Sequence, residues 1–121
     1  MPTLEENLIT ELEAAAPVTA LVGTRIFPVI LPQNTTLPAI TYQVVTTVLM
    51  PTLDGESGLE NALFQIDCWA AGYAAAKDLA ATVRTALLAA TLFKAVRRGD
   101  RDGFEDRTKI YRIISDYSLW R

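Results

Sequence analysis

The sequence has no histidine, a single cysteine (Cys68) and no run of about 18 apolar residues. Each shortage excludes a class. Histidine is the usual general base near neutral pH and the commonest metal ligand. Without it, Ser-His and Cys-His nucleophile pairs and most zinc sites fall away. One cysteine cannot close an intrachain disulfide, which suits a reducing cytosol. No segment is long and apolar enough to be read as a membrane helix. The opening MPTLEENL carries two acids and no base, unlike a signal peptide.

What is present fits one packed unit. The 121 residues are 50% apolar and 21% charged, enough for a real core in a single domain over 1–121. No repeat of about 20–50 residues and no low-complexity linker divides the chain. The net charge of −3 is unevenly placed. Residues 1–60 hold seven acids and one base, Arg25, whereas residues 61–121 hold seven acids and ten bases. A split of this kind lets one face of a protomer complement another, as head-to-tail association requires. The acidic balance disfavours tight nucleic-acid binding, which needs clustered cations.

Periodicity gives the elements. Leu4, Leu8, Ile9 and Leu12 share one face and predict a helix over 3–16, with a capping box at Thr3 and Glu6 and a stop at Pro17. Residues 18–22 add a further turn. Residues 25–31 read as a short edge strand because Pro28 lacks an N–H. Residues 39–49 and 61–70 alternate as strands, and the connection 50–60 between them predicts antiparallel pairing. Residues 72–90 read as a helix buried through Tyr73, Ala76, Leu79, Ala80, Val83, Leu87 and Ala90. Residues 92–98 and 107–120 read as strands around a turn at 99–103. The last strand is apolar on both faces, which places it centrally or against a partner. The order α-β-β-β-α-β-β gives an α+β class: a mostly antiparallel sheet of about four to five strands packed by two helices.

No motif carries catalysis, a metal or a cofactor. Asp100, Asp102, Glu105 and Asp106 lack calcium-loop spacing and read as a solvated turn. Asp54, Glu56 and Glu60 read as loop acids. Cys68 lies between apolar neighbours with no base to activate it. Arg97, Arg98, Arg101, Arg107, Lys109 and Arg112 gather near the end of the chain, but without the alternating aromatics of a single-strand binder. Leu49, Met50 and Leu53 crowd beside the turn residues Asp54 and Glu56. With Arg97, Arg98 and Arg101 they are the candidate protein-interface residues.

Taken in order, several stretches resemble the tail-completion, or tail-terminator, family of long-tailed bacteriophages, prophages and gene-transfer particles. They are Leu21-Val22-Gly23-Thr24-Arg25-Ile26-Phe27-Pro28, Leu37-Pro38-Ala39-Ile40-Thr41-Tyr42-Gln43, and Gln65-Ile66-Asp67-Cys68-Trp69-Ala70 running into Tyr73, Ala76, Leu79 and Ala80. Tyr111-Arg112 and Asp116-Tyr117-Ser118-Leu119-Trp120 complete the match. The resemblance implies a structural protein of the virion tail, made in the host cytoplasm. Its implied form is a homo-oligomeric ring, typically a hexamer, on the head-proximal end of the tail tube. Its implied partners are the tube protein and the head-side connector or stopper protein, with DNA passing through unbound. It implies no enzyme activity, no cofactor and no membrane. A small nucleic-acid-binding or other non-catalytic adaptor is the alternative.

Overall fold

The computed structural model describes residues 3–48, 51–52, 55–56 and 60–121. Helix α1 spans Leu4–Ala14, and the capping box is formed: Thr3 Oγ1 accepts from the Glu6 N–H at 3.1 Å, and the Thr3 N–H donates to Glu6 Oε1 at 3.2 Å. Thr3→Ala removes the bonds made by the hydroxyl and leaves the backbone N–H bond to Glu6. The expected loss is about 1 kcal/mol, read as a lower denaturation midpoint at unchanged slope. The chain leaves α1 at Ala15 and re-enters a helix at once, α2 (Ala16–Val22), with Pro17 in its first turn. Pro17 therefore opens a third helix as well as closing the first, because a first-turn proline gives up an N–H that has no intrahelical partner.

Five strands form the main sheet. They are β1 (Ile26–Pro28), β2 (Ala39–Val48), β5 (Asn61–Ala70), β6 (Lys94–Glu105) and β7 (Ile110–Trp120), in the spatial order β1-β2-β5-β7-β6. A separate two-stranded ribbon, β3 (Pro51–Thr52) and β4 (Gly55–Glu56), lies within the connection between β2 and β5. Strands β2 and β5 pair antiparallel as predicted, and β7 is an interior strand between β5 and β6. The edge strand β1 is shorter than predicted and pairs with β2 in parallel. It ends because Val29 turns to φ 63, a left-handed conformation that a β-branched residue seldom adopts.

The largest departure is in β6. Residues 99–103 are strand, not turn, and the reversal falls at 106–109, where Lys109 takes φ 58 and donates its N–H to the Glu105 carbonyl at 2.8 Å. Lys109 thus lies in the turn and not in the strand predicted over 107–120. The Asp-Gly density that reads as a turn is accommodated within the strand. Arg98 is the extra residue of a bulge between Arg97 and Gly99, Asp100 is bonded by Arg97, and Asp102 by Lys77.

Helix α3 (Tyr73–Leu88) follows β5 and buries Ala76, Leu79, Val83 and Leu87. Tyr73, predicted on that buried stripe, is instead 46% exposed at its start. The core joins these residues to Leu4, Leu8 and Leu12 of α1, Val18 and Val22 of α2, and one face of the sheet: Ile40, Tyr42, Phe64, Ile66, Cys68, Ile113, Tyr117 and Leu119. The helices thus cover one sheet face and leave the other open. Burial pushes the Tyr117 hydroxyl up to about 12 and the Cys68 thiol well above its usual value. Cys68 is accordingly a core side chain and not a nucleophile.

Candidate interaction surface

The uncovered sheet face carries the side chains that alternate with the core. Thr41 and Gln43 of β2 lie beside Asp67 and Gln65 of β5, and Trp69 of β5 lies beside Arg112 of β7. All of them but Thr41 form the floor of a cleft of about 480 Å³, walled by Val29, Ile30, Leu31, Gln33 and Asn34 on one side and by Glu105, Thr108 and Ile110 on the other. The Trp69 Nε1–H donates to Thr41 Oγ1 at 2.9 Å. The Arg112 guanidinium lies 5.0 Å over the Trp69 ring and 3.5 Å from Asp67 Oδ2. Gly103 leaves room for it, since a Cβ there would come within 3.2 Å of Arg112 Nε.

Asp67 is buried, and its carboxyl is held above the ordinary aspartate range. Desolvation is the main cause, opposed by the Gln65 hydrogen bond and the Arg112 charge. The native state therefore keeps this proton to higher pH than the unfolded chain does. The Asp67 contribution to stability is greatest below the unfolded value, about 4, and declines as pH rises through the native one. Asp67→Asn is expected to cost less than about 1 kcal/mol at pH 7, because Arg112 is partly solvated and keeps its ring contact. The wild-type minus variant difference in unfolding free energy should fall between pH 4 and 7. A difference that rises over that range would contradict the assignment.

The cleft rim presents Val29 and Ile30 to solvent, 62% and 72% exposed, and Val44 and Val45 of β2 extend this apolar edge. At the sheet's other edge, Tyr73, Tyr111 and Phe104 form an aromatic cluster with centroid distances of 5.9 and 4.8 Å, and Tyr73 donates its hydroxyl hydrogen to Asp102 Oδ2 at 2.8 Å. The sequence placed Tyr73 on a helix stripe and Tyr111 on a strand. It did not show that one face has no helical cover.

The candidate interface residues fall in the connection between β2 and β5 and on β6. Leu49, Met50, Leu53 and Asp54 lie outside the described residues, and Glu56 is in β4. Arg97 bonds Asp100 on the helical side of β6, Arg101 bonds Asp116 Oδ2 at 3.0 Å on the open side, and Arg98 sits in the bulge. The pairing holds the Asp100 and Asp102 carboxyls below their ordinary range, through Arg97 and Lys77 respectively. The acids predicted to be a solvated turn are thus, at these two positions, neutralised within the strand.

Among the described residues, three helices pack on one face of a five-stranded sheet and none covers the other face. The tail completion protein gp17 family matches residues 6–121, and the chain belongs to that family. It is a structural protein of the virion tail. Among solved structures, a chain of the virion of a native gene transfer agent particle is 22% identical and shares the fold, with a TM-score of 0.66 over 93% of this chain and 90% of that one. No curated protein matches the sequence.

Proposed function

We propose that the chain forms a ring, a hexamer, on the head-proximal end of the tail tube. There it ends tube polymerisation and offers a surface to the head-side connector or stopper protein. The observation that carries this reading is the family match across residues 6–121. The open sheet edges and the solvent-facing Val29, Ile30, Val44 and Val45 support it, since apolar edges of this kind gain from burial between subunits. On this reading the protein is structural, without catalysis or cofactor, and the net charge of −3 lets DNA pass rather than adhere. Leu49, Met50, Leu53, Asp54 and Glu56 in the connection, and Arg97, Arg98 and Arg101 on β6, supply contacts to the neighbouring copy, the tube or the connector.

Deleting the chain from the genome that encodes it tests the proposal. Electron microscopy should then show tails of irregular length and heads without tails. Normal tail lengths with heads attached would overturn it.

A further inference from the structure

The main sheet ends in two edges that complement each other. At one end, β1 covers only Ile40–Tyr42 of β2, with one added bond from the Val29 N–H to the Tyr42 carbonyl at 2.8 Å. Among the described residues no strand lies along that side of 43–48. This half-strand reads QVVTTV, with neither the charge nor the proline that usually shields a sheet edge. At the other end, among the described residues, β6 is paired on one side only, with β7.

Charge distinguishes the two edges. Glu5 lines one cavity with Tyr42 and Val44, Glu6 and Glu13 are exposed on the same helix, and no basic residue precedes Arg25. Around β6 stand Lys94, Arg97 and Arg98, with Arg84 of α3 near enough to Asp100 to lower its pKa. Of these four cations Arg97 alone is salt-bridged among the described residues.

The geometry points to a sheet that continues between copies: β6 of one copy lies antiparallel to the free half of β2 in its neighbour. This rests on the ring reading above. Strand polarity permits it, because β2 and β7 run one way and β5 and β6 the other. Copies related by rotation about an axis along the strands therefore bring β6 beside β2 in the antiparallel sense.

The register also fits. Val44, Phe64, Tyr117 and Arg97 occupy one row across the sheet, and Thr46, Leu63, Ser118 and Val96 another. Continued level into the next copy, Arg97 comes beside Val44 and its neighbour Glu5, and Val96 comes beside Thr46. The bulge at Arg98 falls beside the point where the neighbour's β1 ends, at Pro28. Rows before it, through Arg97, meet the free half of β2; rows after it, from Asp100 to Asp102, meet the stretch that β1 already covers. The bulge thus lets β6 step around β1.

Cysteine cross-linking of the full chain tests this, since buried Cys68 stays silent. Thr46 and Val96 lie on the open face, and Arg97 on the helical face. Oxidised Thr46→Cys combined with Val96→Cys, or with Lys94→Cys two residues along on the same face, should give a ladder of linked copies ending at the closed ring. Thr46→Cys combined with Arg97→Cys should link at least tenfold less. Glu5→Arg should weaken assembly at low salt, and Arg97→Glu in the same chain should restore it. If sedimentation shows a ring but neither open-face pair links, the edge contact is overturned and the ring reading stands. If Thr46→Cys alone yields dimers, β2 pairs with β2 and the head-to-tail edge is overturned. A chain that stays monomeric, alone and on tail tubes, overturns both.

Discussion

Phe64→Ala is expected to remove about 3–5 kcal/mol of stability, the range for truncating a buried aromatic. Phe64 is fully buried on β5, the middle strand of the sheet, with Val44 and Tyr117 on either side of it in the same row. Its ring joins the helical layer to both neighbouring strands, so the void has walls from several elements and collapses poorly. A domain of this size holds only about 5–15 kcal/mol in reserve, so the variant should melt far below the wild type. Chemical denaturation should show a lower midpoint at similar slope. A loss under about 1 kcal/mol would mean that the helices do not pack on this face.

Leu49→Ser combined with Leu53→Ser is expected to do the reverse: spare the subunit and abolish assembly. The two leucines flank Met50, Pro51 and Thr52 beside a run containing Asp54 and Glu56. Burying a leucine against a neighbour contributes about 1.5–3 kcal/mol. Two per subunit boundary, repeated around a ring, would decide whether it closes. The monomer's melting temperature should stay within a degree or two of the wild type, since surface changes fall within about 0.5 kcal/mol, while light scattering shows no ring and tubes go uncapped. A large drop in monomer stability would place these leucines in the core and the partner surface elsewhere.

Much of the fold was legible in the sequence because local signals agreed with tertiary ones. Thr3 and Glu6 announced a capping box, and alternation in residues 61–70 marked a strand with Phe64, Ile66 and Cys68 inward. Misreadings arose where a local signal was outweighed. Gly99, Asp100, Asp102 and Gly103 have turn chemistry, yet the β7 ladder and the Arg97 and Lys77 pairs keep them in a strand. Tyr73 fits the buried stripe of α3 by spacing, but at the first position of the helix it reaches past the core to Tyr111 and Asp102. The open face was harder to foresee. Thr41, Gln65, Asp67 and Arg112 alternate correctly, but alternation does not reveal whether a helix covers them. That depends on α1, α2 and α3 all packing on the same side.

Cryo-electron microscopy of assembled particles tests the central claim most directly. The account predicts a ring of this fold between the last tube ring and the head-side connector, with no further tube subunits above it. Density for the chain at the distal tip, or along the length of the tube, would contradict it.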